Sequence, residues 1–150
     1  MIRINRSALA LVGLGIVCAS PFTQASLARA QDAVAIRSNG EATYINGGIG
    51  DNEISYMREN GPKYSLRMEF SERGSGEFVT GVNLDISNPS GKSVFALDSA
   101  GPLTDVMLPP GQYRVRASYE GKTETQEVSI DGAGRGGKDI SFHWKGSETQ

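Results

Sequence analysis

The chain holds one histidine, His143, and one cysteine, Cys18, among its 150 residues. A zinc site takes three or four ligands of the imidazole, thiolate or carboxylate kind. A lone histidine without a cysteine beside it falls short of that set. A serine triad would have His143 as its only base, and no serine carries the nucleophile-elbow spacing. His143 stands between Phe142 and Trp144. On a strand it therefore points away from both and outward, as an ordinary surface residue. The expectation is a chain with no metal, no cofactor and no catalytic residues.

Gly47-Gly48-Ile49-Gly50-Asp51 is the other stretch with chemical potential. Glycines ahead of a helix can expose backbone N–H groups to an anion. The spacing matches neither phosphate-binding glycine motif, and no lysine follows. A tight turn into a helix is the simpler reading, with ligand or partner contact at Gly47, Gly48, Ile49, Gly50 and Asp51 as the functional one. Arg114 and Arg116 are the nearest thing to a basic site. A two-residue turn at Glu120-Gly121 sets Arg114 opposite Glu127, so a surface pair accounts for it. Arg67 and Glu69 read as decoration on a wet strand face. Asp98 reads as a turn residue, and the acidic residues lack calcium-loop spacing. Trp144, two residues from Phe142 on the same strand face, reads as core.

The N-terminus has the three zones of a secretory signal. Arg3 and Arg6 precede the 12-residue apolar run Ala8–Ala19, and a small, polar stretch follows. Twelve residues are too few for the ~20 of a permanent membrane helix. Cleavage after Ala30 satisfies the small-residue rule, with Ala25 as a second position. Val17 before Cys18 departs from the lipoprotein pattern, so Cys18 leaves with the signal. Residues 1–30 contain three basic residues and no acidic one. The remainder then carries 12 basic and 17 acidic residues, a net charge near −5. No basic patch exists for nucleic acid. The exported chain has no disulfide and no membrane span, and its place is the periplasm or the exterior.

About 120 residues suit one domain. Strict alternation marks its strands. Tyr64, Leu66, Met68 and Phe70 point one way, and Ser65, Arg67, Glu69 and Ser71 point the other. Phe78 to Ile86, Ser93 to Leu97, Leu103 to Leu108, Tyr113 to Tyr119, Thr123 to Ile130 and Ile140 to Trp144 complete seven strands. Between them lie the turns Arg73–Gly76, Asn88–Gly91, Ser99–Pro102, Pro109–Gly111 and Glu120-Gly121. The expected core is Leu66, Met68, Phe70, Val82, Leu84, Ile86, Val94, Val106, Leu108, Tyr113, Val115, Val128, Ile140, Phe142 and Trp144. Asp51 to Asn60 does not alternate. With Asp51 or Asn52 as cap, Glu53 in the first turn and Gly61-Pro62 behind, it predicts a short helix with Ile54 and Met57 inward. The chain thus divides into a signal (1–30), an N-terminal segment with glycine turn and helix (31–62), an all-β antiparallel sandwich of seven strands (63–145) and a flexible tail (146–150). Asp131 to Gly137 is a glycine-rich loop.

Leu108-Pro109-Pro110-Gly111-Gln112-Tyr113-Arg114-Val115, with Tyr119-Glu120-Gly121 after it, resembles the carboxypeptidase regulatory-like domain, a transthyretin-like (prealbumin-like) sandwich. Leu97-Asp98-Ser99-Ala100-Gly101 stands where that family has an acidic residue and a turn glycine. The resemblance covers residues 64–130. Tyr44 to Asp51 and Phe142-His143-Trp144 look like features of small exported proteobacterial proteins that carry the domain. The resemblance implies a seven-stranded fold in which Leu108, Pro109, Pro110, Gly111 and Tyr113 form a structural motif, and a module that accompanies chemistry without doing it. Hydroxyisourate hydrolase shares the transthyretin-like fold, but it uses several histidines and a C-terminal Tyr-Arg-Gly-Ser. Here one histidine is present and the chain ends Gly146-Ser147-Glu148-Thr149-Gln150. The expected function is a non-catalytic exported module that binds an envelope or secreted protein through a sheet edge or the loop at 47–51. A small-molecule carrier with a pocket beside the short helix is the alternative, and an unfamiliar hydrolase is the last.

Overall fold

A computed structural model describes residues 37–39, 42–133 and 137–146. The expected signal at residues 1–30 and tail residues 147–150 lie outside these, as do residues 134–136 of the glycine-rich loop. The described chain runs β1 (Arg37–Asn39), β2 (Ala42–Gly47), α1 (Asp51–Asn60), a 3-10 turn (Gly61–Lys63), β3 (Leu66–Arg73), β4 (Val82–Ser87), β5 (Ser93–Ala100), β6 (Leu103–Met107), β7 (Gly111–Tyr119), β8 (Lys122–Ile130) and β9 (Lys138–Lys145). One sheet has the order β1-β2-β6-β3-β9 and the other β5-β4-β7-β8. The protein is an all-β sandwich with one short helix.

Most strands form where apolar and polar residues alternate, and the two inner faces meet in one core. That core includes Leu66, Phe70, Val82, Ile86, Phe95, Val106, Val115, Phe142 and Trp144. A fully buried side chain of this kind contributes roughly 1.5–3 kcal/mol. Trp144 packs its ring against Phe70, Phe142 and Tyr119. Its Nε1–H donates to the Lys122 carbonyl at 3.1 Å. Val94, Tyr113 and Ile140, expected inside, are half-buried at the core margin. The Tyr113 hydroxyl donates to the Pro109 carbonyl at 2.7 Å, which ties the Leu108–Tyr113 motif together. Glu120 and Gly121 have φ of 49° and 76°. This two-residue turn with both φ positive matches the twist of the β7–β8 hairpin.

Four expectations are corrected. Among the described residues the sandwich has nine strands rather than seven, because β1 and β2 precede the helix. Residues 42–47 therefore belong to the sandwich, with β2 antiparallel to β6. The sandwich is not wholly antiparallel: β9 runs parallel to β3 from Leu66↔Lys138 to Arg73↔Lys145. No strand begins at Phe78. Residues 77–79 hold to β3 by the single Ser71↔Phe78 bridge, with the Glu72 N–H donating to the Glu77 carbonyl at 2.8 Å and the Val79 N–H to the Phe70 carbonyl at 3.1 Å, and Gly81, with positive φ, turns the chain into the strand that starts at Val82. Val79 is buried there and Phe78 is exposed. Finally, the outer face of β3 is not wet. Ser65 and Ser71 are buried and Arg67 and Glu69 half-buried, because β3 is flanked on both sides by β6 and β9 and the 3-10 turn reaches over it at Arg67.

The helix spans the expected residues, but its cap differs. Gly50 is the N-cap and makes no side-chain bond. The Glu53 carboxylate instead accepts the N–H groups of Gly48 at 3.0 Å and Ile49 at 2.9 Å. Met57 turns inward and joins Ile45 and Tyr64 in a second, smaller cluster on the outer side of the first sheet.

Candidate functional site

Four strands set the site's floor. Reading across the first sheet, Ile45 on β2 pairs with Asp105 on β6, Asp105 with Arg67 on β3, and Arg67 with Asp139 on β9. All four side chains share the outer face, because register partners on neighbouring strands point the same way. Ile45 is covered by Met57 of α1. Beyond it the helix lifts away and leaves an open groove of about 740 Å³. Met57, Arg58 and Pro62 form the helix-side wall, Leu103 supplies an apolar flank, and Arg67, Glu69, Asp105, Asp139 and Ser141 add polar groups.

The charges in this row are unevenly matched. Arg67 Nη2 donates to Asp139 Oδ2 at 2.9 Å, and Nε donates to the other carboxylate oxygen, so the pair is bidentate. Its hydrogen bonds to Arg67 hold Asp139 below the usual carboxylate range. The bond to Asp139 likewise raises Arg67. Asp105 has no such partner: among the described residues the ion pairs are Arg67–Asp139 and Arg114–Glu127. Only 5% of Asp105 is exposed. Burial pushes its carboxyl up to about 7, against the opposing pull of the Arg67 charge and the Met68 backbone N–H, with Asp139 adding to the rise. Gly61 lies directly above. A Cβ there would stand 3.1 Å from Asp105 Oδ2 and 3.2 Å from Arg67 Cδ, so any larger residue would need one of these side chains to give way. A buried carboxylate with no cation is costly and is a mark of binding and catalytic sites.

The residues singled out from sequence are placed elsewhere. In Gly47–Asp51 the Gly48 and Ile49 donors are already taken by Glu53, so an outside anion would have to displace that carboxylate. Ile49 is 65% exposed at the loop tip. Leu108, Pro109, Pro110, Gly111 and Tyr113 lead into β7, away from the groove. A second depression of about 570 Å³ lies there, between the Asn88–Gly91 turn and the β7–β8 hairpin. Arg114 pairs with Glu127 at 2.9 Å on an exposed surface, as cross-strand register requires. His143 faces out, yet it is not solitary: its Nδ1 lies 2.8 Å from the buried Ser71 Oγ, its register partner on β3. No carboxylate bonds the ring among the described residues.

The sheet edges are partly stoppered. Gln126 on β8 donates to the Ser141 carbonyl on β9 at 2.7 Å, and Trp144 and Lys122 link the same two strands. Among the described residues no helix is long and apolar enough to cross a membrane. Nor do they contain a group of three or more His, Cys, Asp or Glu side chains able to hold a metal. No known family model matches the chain, and no curated protein matches it.

Proposed function

We propose that this chain is an exported, non-catalytic binding module whose ligand occupies the groove between α1 and the outer face of the first sheet. The observation that carries this is the groove itself, apolar along its flanks and floored by a buried, unpaired Asp105. Concave sites of several hundred Å³ with apolar walls and a few placed polar groups are the usual form of small-ligand pockets. The export reading rests on the zoned N-terminal sequence, and the non-catalytic reading on the short supply of acid–base partners around His143. The Ser71 hydroxyl is buried and lacks the oriented third group that activates a nucleophile.

This reading places a small-molecule carrier ahead of strand addition by a protein partner, because side chains bridge the β8–β9 seam. A protein partner remains the second reading, favoured by the exposed Ile49 at the loop tip. Amide-resolved NMR screening of a chemically mixed ligand set tests both. Hits that shift residues 57–62, 67–69, 103–105 and 139–141 together support the groove. Hits confined to residues 47–51 or to the strand edges overturn it.

A further inference from the structure

We propose that the groove takes a primary ammonium group carried on an apolar chain, with the ammonium against Asp105 and the chain along Met57 and Leu103. This rests on the groove being the binding site and names the class of its ligand.

The geometry points to a cation first. The row Asp105–Arg67–Asp139 holds two carboxylates and one guanidinium. Arg67 commits its fork to Asp139, and Asp105 is left without an ion pair although 5% exposed. Glu69 lies one step along β3 on the same face and lines the same groove. The remaining positive group in the lining, Arg58, is exposed on the helix. With Asp105 ionised, at pH above about 7, the unmatched charge at the floor is therefore negative. An arriving ammonium supplies what a buried carboxylate lacks, a close positive charge with hydrogen-bond donors.

An organic cation fits better than a metal ion. Arg67 stands between the two aspartates and blocks them from converging on one ion, and among the described residues no metal-holding cluster includes them. A compact ammonium with three donors needs less room beneath Gly61 than a flat guanidinium does. The apolar flanks of Met57 and Leu103 then cover a hydrocarbon stem, as they would a snorkelling lysine stem.

The test titrates the full chain with hexylammonium, hexanol and hexanoate while following amide shifts. Hexylammonium is expected to shift residues 57–62, 103–105 and 139–141 saturably, and hexanoate to leave them unmoved. Asp105→Asn should weaken hexylammonium by about tenfold or more, with an unchanged fold reported by shifts elsewhere in the sandwich. Asp139→Asn should weaken it less, since it frees Arg67 to neutralise Asp105. Equal binding of hexanol, or full affinity in a folded Asp105→Asn, overturns the cation while keeping the groove as a binding site. No binding of any probe overturns the ammonium assignment, and the broader ligand screen then decides the fate of the groove.

Discussion

Asp105 on β6 stands opposite Arg67 on β3, yet Arg67 gives its bidentate pair to Asp139 on the other side. The preference follows from position. Asp139 is on β9 with a largely exposed side chain, so its ionised form is solvated and available. Asp105 lies under Gly61 beside the buried Ile45, where ionisation carries the desolvation penalty.

The pH dependence of stability follows from that difference. The unfolded carboxyl titrates near ~3.9, and Asp105 in the fold near about 7. Between those values the folded state holds a proton that the unfolded state has released. The stabilisation is full below the unfolded value and lost as pH rises through about 7. Asp105→Asn should remove this slope and stabilise the protein at pH 8 by roughly 1–3 kcal/mol, with little gain near pH 4. Denaturant unfolding across pH 4–9 measures it, and a parallel slope in the variant would refute the assignment. Asp139 acts in the opposite sense, because its lowered pKa favours the fold above the unfolded value and the benefit disappears in acid.

Gly61→Ala should destabilise the protein by about 1–2 kcal/mol. The added methyl meets Asp105 Oδ2 and Arg67 Cδ at distances that force one of them to move. Chemical denaturation gives the loss, and the NMR shifts of Asp105 and Arg67 should move with it.

Glu53→Ala should cost about 1–2 kcal/mol, because two backbone donors at the helix entrance lose their shared acceptor. Faster amide exchange at Gly48 and Ile49 is the direct readout. Glu53→Gln keeps an acceptor oxygen and should cost less.

Trp144 is the only tryptophan and is 2% exposed, so its fluorescence reports the fold alone. Its emission should be blue-shifted in the native protein and move red in one step with unfolding. Trp144→Phe should cost about 1–3 kcal/mol through lost volume and the orphaned Lys122 carbonyl.

Much of this architecture is visible in the sequence because strand alternation has a period of two and the inner faces are apolar. The helix at 51–60 stood out because it broke that period. The glycine-flanked stretch around Phe78 misled because local alternation says nothing about where a ladder stops. β2 was hidden inside Ala42–Gly47, where Tyr44 and Ile45 are buried on opposite faces, so period two never appears. The groove was least visible. Arg67 looked like a surface residue on an exposed face, and Asp105 stood out in no motif. Only strand pairing brings residues 67, 105 and 139 into one row, and a glycine 44 positions away from Asp105 in a different kind of element, Gly61, seals it. The nearest sequence signal was the single aspartate inside the apolar strand Leu103–Leu108.

The most direct measurement is hydrogen exchange on the full chain, with and without the small-molecule fraction of an envelope extract, in the native sequence and in Ser141→Trp. Ser141 is exposed and lines the groove, so the indole fills the site without entering the core. Protection confined to α1, β3 and β9 around the groove, and abolished in Ser141→Trp, is the predicted result. Protection at residues 47–51 or along the β5 and β8 edges, or protection that survives Ser141→Trp, would contradict a groove-binding module.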